Sequence, residues 1–390
     1  MTEQPAQRVF TFADDLDFLK AHGEIIVLSS SQGARVAVSP KYQGRVMTSG
    51  IGDKGPSFGW INRAFIESEK TGTQFDNYGG EDRFWLGPEG GQYGLYFAPG
   101  QPFTFDAWQT PHVLQEGNWE VLEHEPERVT FKHEMKVTSW SKATFDVVVD
   151  RTAQLVSRAD AERVLGTGPL PRDVGFVAFE TKNRITNGGK AAWKKETGLV
   201  SIWILAMFAP APDAHVILPF EKNAPKGTGG AASPTIVNDR YFGKVAPERL
   251  AVHEAEGFLT FTCDGKERGK IGLGPARAKN VAGSYSASAK LLTIVHYDGP
   301  KRGAPYVNSM WEKQKDPYAG DVINSYNDGS PGPGKAPLGG FYEIETSSPA
   351  AELAPGKDLV HTHRTFHFVG EREVLEPIAK KVLGVGLSGL

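Results

Sequence analysis

Period-two alternation runs through most of the chain. Residues 143–157, "ATFDVVVDRTAQLVS", place apolar and polar side chains on opposite faces, and residues 119–137, "WEVLEHEPERVTFKHEMKV", do the same about a turn at Glu125–Glu127. These segments predict half-buried antiparallel strands. Shorter β-branched runs, "EIIVLSS", "ARVAVSP" and "GRVMTSG", follow one another near the start, broken by Gly, Ser and Pro. Residues 174–189 form another strand and end in Asn187-Gly188-Gly189, a turn signal. Further strands are predicted in "LVSIWILAMF", "HVILPFE", "GFLTFTC", "KLLTIVHYD", "GFYEIETSS" and "LVHTHRTFHFV". Helical periodicity is confined to two places. "DLDFLKAHG" has Asp14 or Asp15 as cap and Gly23 as stop, and "EVLEPIAKKVLG" predicts a helix from Leu375 or Glu376, with Pro377 in its first turn.

Strands neither alternate with helices nor recur at a fixed spacing, which excludes doubly wound, propeller and solenoid architectures. The pattern predicts an all-β antiparallel fold with short peripheral helices. The Gly/Pro-rich stretches at 222–234 and 327–340 interrupt strand patterning without changing composition, so they read as loops within one domain spanning 1–390. With 45 glycines and 26 prolines the chain is rich in turns, as such sheets require.

Charge and cysteine content narrow the chemistry. A net charge of −3, with no basic run, argues against nucleic acid or an anionic membrane as partner. No stretch approaches the ~18–20 apolar residues of a membrane span. The start lacks the basic and apolar regions of a signal peptide, giving a cytoplasmic expectation, with export if such a segment has been removed. Cys263 stands alone, excluding an intrachain disulfide and a multi-cysteine metal site, and its strand-to-turn setting reads as an inert thiol.

Three segments concentrate chemistry. Residues 77–100, "NYGGEDRFWLGPEGGQYGLYFAPG", set Glu81, Asp82, Arg83, Trp85 and Glu89 among six glycines between Gly79 and Gly94. An indole that stacks on a pyranose face, with charged groups that read its hydroxyls, suits a sugar. The alternative is a structural turn around a buried Arg–carboxylate pair. Residues 306–329 carry Asn308, Trp311, Gln314, Tyr318, Asp321, Asn324, Tyr326, Asn327 and Asp328 with little apolar periodicity, suggesting a sugar-binding lid loop or an Asx-turn-rich surface loop. Its Asp and Asn side chains could also hold Ca2+, although their spacing fits no EF-hand; no other metal or cofactor is called for. Third, "GFYEIETSSP" places Phe341, Glu343 and Glu345 on one strand face, the two carboxylates about 6.5–7 Å apart at Cα. In a cleft their repulsion would part their pKa values into base and acid or anchor. His361, His363 and His367 share a face of "LVHTHRTFHF", either as a chelating pair or as satisfied core histidines.

Taken together, "GGEDRFWLGPEGGQYGLYF", "FDVVVDRT", "TGLVSIWILAMF", "YVNSMWEKQ", "GDVINSYNDG" and "FYEIETSSPA" resemble the galactose mutarotase-like superfamily, the aldose-1-epimerase type of β-supersandwich, and more closely an uncharacterised bacterial family within it. The resemblance implies a large antiparallel β-supersandwich with a saccharide or oligosaccharide in its cleft. It implies that Glu345 of "IETSSP" is the general base, with Glu343 as an extra carboxylate. The histidine acid expected in such epimerases has no counterpart in "SIWILAMF", and only His112 is available near "FTFDAWQTPH". Arg83, a tyrosine, His361 or His363 would then have to supply a proton. Three readings stay open: an epimerase-like enzyme, a glycan hydrolase or lyase, and a sugar-binding module without turnover.

Overall fold

The computed structural model describes residues 10–224 and 236–390, so most of the 222–234 loop lies outside the described residues. In chain order the elements are α1 (Phe12–His22), β1 (Ile26–Ser29), β2 (Ala34–Ser39), β3 (Arg45–Ile51), α2 (Arg63–Ser68), β4 (Arg83–Gly87), β5 (Glu120–Glu125), β6 (Arg128–Thr138), β7 (Thr144–Leu155), α3 (Arg158–Leu165), β8 (Gly175–Asn187), β9 (Ser201–Phe208), β10 (His215–Pro219), β11 (Leu250–His253), β12 (Phe258–Thr262), β13 (Gly269–Leu273), β14 (Val281–Ser286), β15 (Leu291–Tyr297), β16 (Ile323–Asn327), β17 (Tyr342–Ser347), β18 (Asp358–Val369) and α4 (Arg372–Val382). Three antiparallel sheets hold them: β1-β2-β3, then β11-β12-β10-β14-β15-β18-β8-β7-β6-β5, and β13-β16-β17-β9-β4. The all-β supersandwich expected from the sequence is the observed fold.

The five-stranded sheet is buried on both faces. Every residue of β4, β9, β13 and β16 is buried, so no polar face marks these strands as amphipathic. Its inner face carries Ala206, Phe208, Ile271, Leu273, Tyr342 and Ile344 into a core shared with Val216, Leu218, Phe261 and Val295 of the ten-stranded sheet. A second cluster packs Phe84, Leu86, Ile202 and Ile204 against Val129, Phe131, Val147 and Val149. By contrast, β7 alternates buried and half-buried positions along its length, which is why its period was plain in the sequence.

Several boundaries differ from expectation. The first helix begins at Phe12, because Thr11 closes a capping box with Asp14. Helix α4 begins at Arg372, so Pro377 lies in its second turn, where the bond to Glu373 is forgone. Residues 323–327, expected as part of a loop, form a central buried strand: Asn324, Tyr326 and Asn327 are sheet residues there, not lid residues. Helices α2 and α3 are too short for their periodicity to register.

Candidate active site

Strand alternation decides which functional side chains meet. In the five-stranded sheet Arg83 of β4 stands opposite Leu205 of β9, which stands opposite Glu345 of β17. One step along, Lys270 of β13 faces Tyr326, and Tyr326 faces Glu343. These residues and Trp85 and Trp203 project from the outer face, away from the inter-sheet core. Loops close over that face, forming a cavity of about 470 Å3 counted to its open mouth. Its floor is Arg83, Trp85, Trp203, Leu205, Lys270, Tyr326 and Glu343, and its walls include Glu89, Trp108, Phe242, Arg268 and Trp311.

Two ion pairs occupy the floor. The Arg83 guanidinium donates to Glu343 Oε1 at 2.6 Å and lies over the Trp85 ring at 4.0 Å. Lys270 Nζ donates to Glu345 Oε2 at 2.8 Å, and the Trp203 indole donates to the same oxygen at 2.9 Å. Burial pushes the Glu343 carboxyl up to about 8; Arg83 pulls against that shift and Glu345 adds to it. For Lys270, burial favours the neutral amine, but Glu345 and Glu89 outweigh it and hold the ammonium above its usual value. Burial lowers the Arg83 guanidinium, with Glu343 opposing. Several buried polar atoms have no hydrogen-bond partner here: Nε and Nη1 of Arg83, Nε1 of Trp85, Oε1 of Glu345 and Nε of Arg268. Buried polar groups are rarely left unsatisfied, and this cluster of unmet donors and acceptors is what a polar ligand would serve.

On the wall, Glu89 accepts from the Trp108 indole at 3.0 Å, and the Trp311 indole stands beside the same carboxyl without closing a second bond in this geometry. Burial raises the Glu89 pKa. Gly90 lets the 89–94 turn meet the 310–314 loop: a Cβ there would lie 2.6 Å from Met310 O and 2.9 Å from the Trp311 Cα. The glycines of this segment thus bring Glu89 and Trp311 to one wall. Phe105, Trp108 and Trp311 form a stacked tier, with Phe242 edge-on to Trp311.

Of the residues singled out in the sequence, Arg83, Trp85, Glu89, Trp311, Tyr326, Phe341 and Glu343 line the cavity. Glu345 is fully buried beneath it, joined to it through Lys270. Asp82 follows the opposite parity to Arg83 and points inward, where Arg151 of β7 reaches it at 2.6 Å and Thr181 at 2.8 Å. Glu81, just before β4, accepts from Ser49 and is paired with His367 in the interior. Asn308 shapes the 308–314 loop, accepting from the Met310 amide at 3.0 Å. Asn327 lies on the inner parity and braces the 264–267 turn. Asp328 accepts from the Gly339 and Gly340 amides, fixing the loop that carries Leu338 and Phe341 to the cavity.

His361 and His363 lie behind the sheet. Both rings bond Thr346 Oγ1 at 2.9 Å, and Thr346 is on the inner face of β17, opposite in parity to Glu343 and Glu345. The sheet therefore separates these histidines from the cavity, and neither can donate a proton there. Among the described residues no group of three or more His, Cys, Asp or Glu side chains is arranged to hold a metal ion, and Asp321 instead accepts from Asn238 and Tyr241. Lys270, Trp203, Trp108, Arg268 and Phe242 line the cavity as well, and no motif in the sequence marks them.

The buried histidines carry a prediction. Burial lowers His361 to about 3 and His363 to about 4. The unfolded chain, with histidines near 6.5, binds protons first as pH falls, so their contribution to stability is fully present above about pH 6.5 and is lost progressively toward 4 and 3. At pH 4 the loss is on the order of 3 kcal/mol per histidine. Urea midpoints measured from pH 7 to pH 4 should fall, and His361→Gln should flatten that slope by close to one proton; an unchanged slope would refute the assignment.

Comparison with known proteins is consistent with this architecture. The family described as "Family of unknown function (DUF6786)" matches residues 10–390. Curated proteins give no match. Among solved structures, a galactose mutarotase-like protein of Lactobacillus casei ATCC 334 is similar at 13% identity and TM-score 0.51, with 88% of this chain and 100% of that one covered. A candidate aldose 1-epimerase of Escherichia coli K12 is similar at 11% identity and TM-score 0.50, covering 88% of this chain and 98% of that one. A Synechocystis sp. PCC 6803 protein gives 10% identity and TM-score 0.50, covering 89% and 96%. At these identities the likeness is one of fold.

Proposed function

This chain belongs to the DUF6786 family, and we propose that its cavity binds a small saccharide and interconverts its anomers, as an aldose 1-epimerase does. The observation that carries the reading is the floor itself, where the Arg83–Glu343 and Lys270–Glu345 ion pairs sit side by side beneath indole and phenyl rings. Aromatic faces suit the C–H face of a pyranose, and charged groups suit its hydroxyls. The names of the fold relatives point the same way.

In this mechanism Glu343 is the base, because it lines the cavity and its raised pKa matches proton abstraction near neutral pH. It takes the proton of the anomeric hydroxyl. Lys270 gives a proton to the ring oxygen as the C1–O5 bond opens, supplying the acid that the absent histidine would have been. Rotation about C1–C2 in the aldehyde and reversal of both transfers close the other anomer. Arg83 orients Glu343, and Glu345 holds Lys270 protonated and in place.

One observation favours a sugar-binding module without turnover: both carboxylates already hold a cation. Magnetisation exchange between α- and β-anomer NMR signals, followed across a panel of aldoses and aldose derivatives, separates the two. Exchange faster than the buffer rate is the expected result; ligand-induced shifts without faster exchange on any sugar would leave binding alone.

A further inference from the structure

The cavity holds a third cation, which closes no ion pair among the described residues. Arg268 lies two residues before Lys270, so the strand alternation that aims Lys270 at the cavity aims Arg268 there as well, and both line it. Arg83 and Lys270 each hold a carboxylate at 2.6 and 2.8 Å. Arg268 makes no ion pair among the described residues, and its buried Nε has no hydrogen-bond partner. Its guanidinium is stacked 3.6 Å from the Phe242 ring centre, with Phe105 at 5.4 Å and Trp311 at 5.8 Å, and the Tyr326 phenol is beside it. The one remaining wall carboxyl, Glu89, is served by the Trp108 indole and closes no ion pair with Arg268, whose charge acts on it only from a distance.

We propose that the saccharide taken by this cavity carries an anionic group, a carboxylate or a phosphate ester, and that Arg268 is the residue that reads it. This rests on the sugar-site reading above. A guanidinium offers a planar fork of donors that carboxylate and phosphate oxygens match in pairs. Aromatic stacking fixes that fork before the ligand arrives, so little rotamer entropy is lost on binding. An unpaired charge in a partly desolvated site is costly, and a ligand anion relieves that cost where a neutral hydroxyl does so only weakly. Arg268 and Lys270 are spaced about 6.5–7 Å at Cα, so one strand serves the anionic end and the reacting end of a single pyranose ring.

The test is a calorimetric titration of the full chain with glucose, galactose, glucuronate, galacturonate and glucose 6-phosphate. At least one anionic sugar should bind about 10–100-fold more tightly than its neutral parent, the range expected for charge-assisted hydrogen bonds. The uronate and phosphate arms decide which anion is read. Arg268→Gln should bring the anionic-to-neutral ratio close to one. Arg268→Lys should restore it only in part, since the charge returns without the fork. Circular dichroism checks that both variants keep the wild-type spectrum. Equal affinity for neutral and anionic sugars, or an unchanged ratio in Arg268→Gln, overturns the inference while leaving the sugar site standing. Failure of every sugar to bind overturns the sugar reading, and this inference with it.

Discussion

Glu343→Gln is expected to slow anomer exchange by about 10²–10⁴-fold, the usual worth of a positioned general base, with smaller change in sugar affinity. The amide keeps the shape and can still accept from Arg83, so the loss reports the missing proton acceptor. The pH profile sharpens the assignment. Burial holds the Glu343 carboxyl up at about 8, with Arg83 opposing. The base form therefore gains population as pH rises, and the wild-type rate should climb through that region rather than level off near the ordinary carboxylate range of about 4–5. In Glu343→Gln this limb should vanish. Glu345→Gln serves as the contrast, because Glu345 is fully buried and acts through Lys270. It should lower the rate less and leave the limb in place. A Glu345→Gln variant that loses both rate and limb, beside an active Glu343→Gln, would reverse the two roles.

That Glu343 rather than Glu345 lines the cavity could not be read from the sequence. Alternation in "FYEIETSSP" placed both glutamates on one face, and the structure keeps them there. What alternation cannot say is which face of a buried strand meets the cavity: β17 lies between β9, from a distant part of the chain, and β16, which is itself buried on both faces. The same blindness affected the histidines. His361 and His363 were correctly set on one strand face, but only the packing of β18 against Thr346 shows that this face looks into the core. Lys270 and Arg268 left no signal at all. "KERGKIGLG" is glycine-rich and charged, like a surface turn, and its five-residue strand is recognisable only by pairing with β16. Strands with one wet face, such as β7, were legible throughout because solvent imposes the period.

Arg151→Met is expected to destabilise the fold by about 3–5 kcal/mol, the cost of leaving a buried carboxylate without its partner. Arg151 and Asp82 are both fully buried at 2.6 Å. Around that pair, Arg151 donates to Gly44 O at 3.0 Å, Asn183 Oδ1 at 2.5 Å and Asp82 O at 3.1 Å, and Thr181 donates to the second Asp82 oxygen. One guanidinium thus ties β7 and β8 to the turn before β3 and to the residue that precedes β4. For a chain of this length the loss corresponds to a fall in melting temperature of about 4–6 °C. Asp82→Leu with Arg151→Met removes both charges, and should recover much of the stability of the single variant, since no buried charge is then left over. Sugar affinity reports a second effect. Asp82 is the neighbour of Arg83, so loosening the head of β4 displaces the Arg83–Glu343 pair on the other face of the same strand. The single variant should therefore bind sugar more weakly at temperatures where it is still fully folded, and a small polar side chain restored at 151 should not rescue it. A melting temperature within about 1 °C of wild type, with unchanged affinity, would show that this buried pair is not what sets the position of β4.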